Sequence, residues 1–302
     1  MKFREFYFAN YRLLLDEAIC NEPHTGHLAD FEKPMSYTDT FTIQLGDEAE
    51  FKARYEEAIT SPKVFEDTQR YAVHKLKDGW AVVAPAREQI SCMLLESSRD
   101  CAQMSIYMPK ERNFISSDSK IDKAKKILVT AYVPHFIISS MALRGTLALH
   151  ASLVERDGFG VLFLGPSGMG KSTQAKLWER YLGADFIIGD RAVCRQFGSV
   201  WYGYGMPWDG TDDIQRQKFV PVRALVALEQ AKENRLCRLS AVEAMQVLLR
   251  QARLPVWNEE AMQKNTEQMW SMAQDLPFYH LQNMADEECV NLVYNTLYEV
   301  KK

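Results

Sequence analysis

The sequence lacks the features that mark disulfide-rich, metal-binding or repetitive proteins. Its six cysteines are scattered and none belongs to a C-x-x-C pair. This pattern argues against a disulfide framework or a zinc site and favours free thiols in a reducing cytoplasm. The sequence contains no internal repeat and no low-complexity tract. An ordinary globular protein is therefore expected.

The sequence also lacks a long uninterrupted apolar run. The longest one, ILVTAYVPHFIISSMAL at residues 127–143, contains Pro134, His135 and two serines. It is too short and too interrupted for an ordinary membrane span, so it is expected to form a buried helix with a proline kink. The first residues, MKFREFYFANYRLLLDE, lack the charged-then-apolar order of a secretory signal. These features predict a cytoplasmic protein with no membrane partner.

No strong excess of one charge is present. The formal net charge is −4 over 302 residues, with 47% hydrophobic and 25% charged residues. This mildly acidic balance gives no reason to expect nucleic acid or an anionic membrane as a partner. The length allows one large domain, or a small domain followed by a larger one.

The first part of the sequence is rich in strand signals. Residues 71–84, YAVHKLKDGWAVVA, hold two strand-like runs around the turn signal Lys77–Gly79. Residues 101–109, CAQMSIYMP, alternate in polarity and stop at a proline, as a strand would. The polar segment at residues 111–126 then predicts the start of a helix. We therefore expect a β-rich N-terminal domain over residues 1–120, with acceptor recognition as its candidate role.

The second part predicts an α/β core followed by a helical tail. A hairpin is expected around Arg156–Gly158, then a strand in ADFIIGDRAVCRQ and a central strand in VPVRALVALEQ. The last sixty or so residues change to helical spacing. Ser240 and Glu243 form a capping box, and Asp286 is placed to cap the final helix.

One motif carries most of the chemical information. The stretch GPSGMGKST matches G-x-x-x-x-G-K-[ST], the phosphate-binding loop, with the apolar run VLFLG before it and a helix closed by Gly183 after it. Consecutive backbone N–H groups of such a loop surround a polyphosphate. Lys171 is expected to reach the β- and γ-phosphates, and Ser172 to bind Mg²⁺. The nucleotide-binding candidates are Gly165, Pro166, Ser167, Gly168, Met169, Gly170, Lys171, Ser172 and Thr173.

A phosphoryl-transfer site also needs a carboxylate, and Asp190 is the best candidate. It ends the run FIIGD, where ligand-facing residues of an open α/β sheet collect. The alternative is a turn carboxylate that caps backbone groups. His150 lies on the strand beside the one that enters the loop and could point toward the phosphate. A single histidine in an apolar strand is, however, more often a core residue.

Other polar residues have weaker claims, because most charged side chains simply face solvent. They are Arg191, Asp209, Asp212, Asp213 and Arg216. A group of aromatic residues could line an acceptor groove, although core packing is the default interpretation. These are Trp201, Tyr202, Tyr204 and Trp208.

The stretch LHASLVERDGFGVLFLGPSGMGKST, followed by FIIGDRAV, resembles the C-terminal kinase domain of the HPr kinase/phosphorylase family. That family has a histidine strand, a glycine turn, a phosphate loop and an Asp-Asp-Arg strand end, on a fold related to the ATP-dependent phosphoenolpyruvate carboxykinases. GMPWDGT, VPVRALVALEQAKENRLCRLS and the helical tail resemble a stand-alone branch found near peptide-modification genes. The resemblance implies a P-loop kinase core over residues 121–302.

By this resemblance His150, Lys171, Asp190 and Arg191 match catalytic residues, and Ser172 and Asp190 match metal-binding ones. Three departures limit it. Gly189 stands in place of the first aspartate and Thr173 in place of a glutamate. No Pro-Gly-Arg-Asn segment follows VPV, so phosphorolysis and hexamer formation are not implied.

The leading hypothesis is a kinase that uses ATP and Mg²⁺ to phosphorylate a hydroxyl, with a protein or peptide serine as the favoured acceptor. The alternatives are a nucleotide-binding regulatory module without transfer activity, a small-molecule kinase and a carboxykinase-like enzyme. A transport ATPase is disfavoured, because no LSGGQ-like segment and no strand ending in Asp-Glu follow the loop. The sequence leaves a homo-oligomer and the choice between ATP and GTP open.

Overall fold

The computed structural model describes residues 2–20, 26–67, 71–84, 93–107, 133–208 and 214–298. The chain divides into two compact units. The first comprises Met1–Leu143 with Pro255–Ala261, and the second comprises Arg144–Leu254 with Met262–Lys302. The boundary expected near residue 120 and the helix expected within residues 111–126 lie outside the described residues. The described elements form a mixed α/β protein with two large sheets.

The first unit is built on a sheet of eight described strands. Their order is β1-β2-β3-β8-β7-β6-β5-β4, and every neighbouring pair is antiparallel except β2–β3 and β3–β8. The described strands are β1 (Phe3–Phe8), β2 (Tyr11–Asp16), β3 (Asp39–Leu45), β4 (Lys63–Asp67), β5 (Tyr71–Lys75), β6 (Gly79–Ala84), β7 (Met93–Ser98) and β8 (Gln103–Tyr107). Two short 3-10 helices cover Gly26–Phe31 and Glu48–Glu50.

Two helices begin in the first unit's main segment, α1 (Phe51–Thr60) and α2 (Val133–Leu143). The hairpin predicted around Lys77–Gly79 is confirmed, because β5 and β6 pair antiparallel on either side of it. The buried helix predicted in residues 127–143 is confirmed over Val133–Leu143. Pro134 is the second residue of the described part of α2. The predicted kink falls at the edge of the described residues and stays a prediction.

The second unit contains the other sheet. Its described strands are β9 (Thr146–Arg156), β10 (Phe159–Leu164), β11 (Asp185–Ile188), β12 (Arg191–Phe197), β13 (Val200–Tyr204), β14 (Phe219–Gln230), β15 (Arg235–Arg238) and β16 (Phe278–Asn283). The strand order is β10-β9-β12-β13-β14-β16-β15, with β11 paired to β9 and β10 also paired to β14. The helices are α3 (Lys171–Leu182), α4 (Ala241–Gln251), α5 (Glu259–Asp275) and α6 (Glu287–Tyr298).

Turn chemistry explains how the chain enters the loop. Asp157 and Gly158 have φ values of 52° and 80°, as a two-residue hairpin turn with left-handed residues requires. The turn joins β9 to β10, which confirms the predicted hairpin. Strand β14 pairs with β10, β13 and β16, so its predicted central place is also confirmed.

Helix α3 follows the loop and packs one stripe of side chains into the core. Its buried residues are Lys171, Gln174, Ala175 and Trp178, the i, i+3, i+4, i+7 spacing of one helical face. Gly183 ends the helix in the left-handed conformation, as predicted. The spacing thus places the amine of Lys171 on the core-facing side of the helix.

The tail helices begin where the sequence predicts. Ser240 and Glu243 form the reciprocal capping box of α4. The carboxylate of Asp286 accepts from the backbone N–H of Cys289 at 2.9 Å at the start of α6. Among the described residues, no helix has the length and hydropathy needed to cross a bilayer. The described cysteines are free thiols.

The packing around α3 predicts a large effect of Trp178→Ala. This side chain is fully buried, and its ring packs against Phe163 at 5.6 Å between centroids. We expect the free energy of unfolding to fall by about 3–5 kcal/mol, because truncation of a buried aromatic leaves a cavity. Urea unfolding followed by circular dichroism measures it. The control Val242→Ala, at a side chain 59% exposed, should change the value by less than about 0.5 kcal/mol. Equal effects of the two substitutions would contradict this packing.

Candidate functional site

The segment between β10 and α3 is shaped by two left-handed glycines. Gly168 has φ of 81° and Gly170 has φ of 101°, values that other residues adopt only with strain. Residues 166–168 are exposed, so their backbone is open to a ligand. A Cβ on Gly165 would lie 3.0 Å from two side-chain carbons of Met169. The glycines therefore serve backbone conformation at two positions and close packing at a third.

Lys171 is the first residue of α3, and its side chain is only 6% exposed. Its Nζ donates to the carbonyl oxygens of Gly165 at 3.0 Å and Pro166 at 3.3 Å. The same Nζ lies 3.0 Å from His150 Nε2 and 3.8 Å from Asp190 Oδ1. The ammonium group thus sits among loop carbonyls, an imidazole and a carboxylate.

His150 and Asp190 form the closest contact of the group. His150 Nε2 lies 2.6 Å from Asp190 Oδ1, and both side chains are about one-fifth exposed. The structure therefore brings together three of the four predicted catalytic residues. Both side chains face Lys171 of the loop.

The position of Asp190 follows from an irregularity in the sheet. Strands β11 and β12 both pair antiparallel with β9, and residues 189–190 lie between them. The N–H of Ala151 donates to the carbonyl of Asp190 at 3.0 Å, and the hydroxyl of Ser152 donates to the carbonyl of Gly189. Such an irregular step re-aims the side chain that follows it. Here the step turns the Asp190 carboxylate toward His150.

The contacts determine where the protons lie. The hydrogen bond from His150 holds the pKa of Asp190 below its ordinary value of 3.8, with the charges of His150, Lys171 and Arg253 adding to the effect and burial opposing it. Asp190 is therefore an acceptor at neutral pH. Asp190 accepts the hydrogen bond from His150, and Lys171 donates to the carbonyl oxygens of Gly165 and Pro166.

Sequence reasoning missed two residues of this region. Arg253 is exposed, and its charge acts on Asp190 although the two are distant in the sequence. Its N–H donates to the carbonyl of Ala148 at 2.8 Å, two residues before His150 on β9. Gln230, at the end of β14, donates from Nε2 to the carbonyl of Gly168 at 3.1 Å and so supports the loop. No local pattern marks either residue.

The remaining predicted residues lie at varied distances from this group. The strand register places Arg191 beside this group, because Arg191 pairs with both His150 and Ala151. Ser172 and Thr173 occupy the first turn of α3. Arg216 pairs instead with Asp185, at the far end of β11. Asp209, Asp212 and Asp213 lie outside the described residues.

The aromatic candidates belong mainly to the core. Trp201, Tyr204 and Trp208 are buried, and the indole of Trp201 donates to the Asp275 carboxylate at 2.9 Å. Only Tyr202 is half-buried. Core packing, the default interpretation, therefore holds for three of the four.

The donor set limits the metal that the site can bind. Within the described part of the chain, no group of three or more His, Cys, Asp or Glu side chains is placed to hold an ion. Asp190 and the hydroxyl of Ser172 offer oxygen donors beside the loop. This set fits Mg²⁺, which often takes one or two carboxylates and completes its shell with phosphates and water.

The hydrogen bond from His150 predicts an order of effects on the pKa of Asp190. His150→Ala should raise it most, because that bond is the largest cause of the lowering; Lys171→Met should raise it less, and Arg253→Gln least. Carbon-13 NMR titration of the Asp190 carboxyl measures each midpoint. The lowered pKa of Glu243, caused by Ser240, is the internal control and should not move. An unchanged Asp190 midpoint in His150→Ala would contradict the geometry.

The lowered pKa of Asp190 also affects the stability of the fold. Because the folded pKa of Asp190 lies below the ordinary value of 3.8, its ionised form stabilises the fold fully above that value. This contribution is lost as the pH falls through the folded pKa. Asp190→Asn should therefore reduce stability more at pH 7 than at the acid end of the range where the protein stays folded, as urea unfolding would measure.

Comparisons with known proteins give little further information. No protein-family model matches the chain, and no curated protein sequence matches it. Among solved structures, the HPr(Ser) kinase/phosphatase from Coxiella burnetii is similar over 50% of this chain and 92% of that chain, with 12% sequence identity and a TM-score of 0.28. At this level of similarity the function of the chain has to be argued from its own residues.

Proposed function

We propose that this protein is an ATP-dependent kinase with a P-loop kinase core of the HPr kinase type. It transfers the γ-phosphoryl group to a hydroxyl, and a serine of a protein or peptide is the favoured acceptor. One observation carries the proposal: Lys171, from the GPSGMGKST loop, lies 3.0 Å from His150 and 3.8 Å from Asp190. A phosphate-binding loop, a cation, an imidazole and a carboxylate thus share one place.

The loop and Lys171 act on the nucleotide. Backbone N–H groups at the start of α3, together with the helix dipole, favour the polyphosphate of ATP. Lys171 exchanges its bonds to the loop carbonyls for bonds to the β- and γ-phosphates, where its charge offsets the charge that develops during transfer. Gln230 helps to keep the loop in shape through Gly168.

Asp190 and His150 act on the acceptor side. The lowered pKa makes Asp190 a weak base, which suits an orienting role for the acceptor hydroxyl more than early proton removal. Little deprotonation is needed if the transition state is loose. His150 holds the carboxylate in place through Nε2 and is close enough to Lys171 to face the transferred phosphate. Alignment of this kind contributes much of the rate in bimolecular transfer.

Mg²⁺ bound by Ser172 and Asp190 would offset the charge of the β- and γ-phosphates. Arg253 is placed to add a further positive charge on the Asp190 side of the site, from a segment held to β9. Arg191, opposite His150 in the strand register, is a second candidate for this role.

A second candidate function is a nucleotide-binding module without transfer activity. The observation that favours it is the single carboxylate of the site: Gly189 occupies the position before Asp190, and Thr173 follows Ser172. Such a module would bind Mg-ATP and transfer nothing. A small-molecule kinase differs from the main proposal only in the acceptor.

Lys171→Met tests the main proposal. We expect phosphoryl transfer to fall at least about 100-fold, because the substitution removes a charge that stabilises the transition state. Transfer is measured with γ-labelled ATP and a panel of serine peptides and small alcohols. A second measurement is mass spectrometry of a co-expressed peptide that is encoded by a neighbouring gene. The matched control is Lys176→Met, an exposed lysine on the same helix, which should keep full activity.

Calorimetry with Mg-ATP separates the candidates. Binding with labelling supports the kinase, and binding with no label on any acceptor supports the module. Absence of binding, or full transfer by Lys171→Met, would overturn the assignment of the loop.

Arg253→Ala tests the residue that sequence reasoning missed. We expect kcat to fall by about tenfold or less, because the charge of Arg253 is the smallest of the contributions that lower the pKa of Asp190, with the Kd for Mg-ATP changed less. Arg253→Lys should recover part of the activity. The control Arg250→Ala, at an exposed arginine of α4, should change neither value. Equal losses at both positions would argue against a specific role.

A further inference from the structure

The first unit has a polar pocket on one face of its sheet. The cavity has a volume of about 820 Å³ and is lined by β3, β7, β8, helix α1 and the turn between β5 and β6. Its size lies within the range of small-ligand sites, about 300–1,000 Å³. It lies entirely among residues of the first unit, and the phosphate-binding loop does not belong to it.

The strand register explains why the sheet residues that line this pocket are polar. Gln44, Ser105 and Glu96 stand opposite one another on β3, β8 and β7, and so form one row across the sheet. The next row, Leu94 and Tyr107, is covered by α1 through an apolar cluster. Helix α1 thus covers the apolar part of this face, and other residues of the same helix line one side of the polar pocket.

Glu96 is not an ordinary surface carboxylate. Its side chain is only 13% exposed, and burial raises its pKa. One oxygen accepts from Arg54 Nη1 at 3.0 Å, but Arg54 also donates from Nε to Glu50 at 3.0 Å. The charge of Arg54 is therefore shared between two carboxylates, and Glu96 retains an oxygen that can accept a further hydrogen bond.

A hydrogen bond connects two of the polar side chains in this row. Gln44 Nε2 donates to the hydroxyl of Ser105 at 3.2 Å. Gln44 lines the cavity, and its side-chain carbonyl oxygen is able to accept a hydrogen bond. The charged lining comprises three carboxylates, from Glu57, Asp78 and Glu96, and two cations, from Arg54 and Lys77. The pocket thus offers acceptors and a negative charge.

We propose that this pocket binds a basic side chain, lysine or arginine, carried on a short peptide segment. The cation contacts the open oxygen of Glu96, and a backbone N–H of the peptide donates to the carbonyl oxygen of Gln44. The aliphatic stem lies against Phe3, which lines the cavity. This chemistry suits a polypeptide acceptor and so deepens the proposed function, but binding is measured without transfer, so failure of one does not imply failure of the other.

Methyl NMR of the full-length protein tests the proposal. Leu76 lines the pocket and packs against the apolar cluster that α1 covers, and its carbon-13 methyl signal, assigned through Leu76→Val in protein labelled at leucine and methionine methyl groups, reports binding. We expect acetyl-Gly-Gly-Lys-Gly-Gly-amide to shift this signal and to leave the buried Met269 and Met272 of the second unit unchanged. The same peptide with norleucine should bind at least about tenfold more weakly, because it lacks the charge.

Two variants identify the residues, with circular dichroism as the folding check. Glu96→Gln removes the negative charge and should weaken the lysine peptide about tenfold or more. Gln103→Lys adds a cation at an exposed position of the lining and should also weaken it, without altering the Arg54 pair. The control Glu66→Gln removes an exposed carboxylate that pairs with Lys63 outside the pocket, and should change nothing.

Cadaverine, a free diamine, tests whether the pocket binds the lysine side chain of a peptide or a small free amine. Weaker binding of cadaverine than of the lysine peptide supports the peptide, because the free diamine has no backbone N–H to offer Gln44. Tighter binding of cadaverine would overturn the peptide proposal in favour of a free amine. Equal shifts with lysine and norleucine peptides, or no shift at millimolar peptide, would overturn it altogether.

Discussion

The buried ammonium of Lys171 is the constraint on which the second unit's site depends. A charge taken out of water is costly unless acceptors surround it. Two loop carbonyls and the nearby carboxylate of Asp190 supply them, at 3.0, 3.3 and 3.8 Å from Nζ. The loop conformation, the helical stripe that carries Lys171 and the step that aims Asp190 together place these acceptors around the ammonium.

Strand β9 brings these parts together. It carries His150, pairs along its length with β10, β11 and β12, and accepts the backbone N–H of Arg253 at Ala148. Segments that are far apart in the chain are thereby held near the carboxylate of Asp190. The two units differ in the chemical groups that they offer a ligand. The segment between β10 and α3 offers the ammonium of Lys171 and backbone N–H groups, and the pocket of the first unit offers acceptors and a negative charge.

Local signals in the sequence predicted the local structure well. The Asp157–Gly158 turn, the glycine end of α3 at Gly183 and the capping box at Ser240 depend only on neighbouring residues, and each is confirmed. Arg216 shows the limit. As an isolated charge it was a candidate for the site, yet its partner is Asp185, which only the pairing of distant segments reveals.

The sequence by itself determined the phosphate-loop motif, its strand and helix, and the candidacy of His150, Asp190 and Lys171, because glycine conformation, helical spacing and motif spacing are properties of contiguous residues. Only the tertiary structure decided that these three side chains meet, that Gln230 bonds to the carbonyl of Gly168 in the loop, and that Glu96 lies largely buried beside Arg54. Strand register and chain crossing set those distances, and neither is encoded in any short stretch of residues.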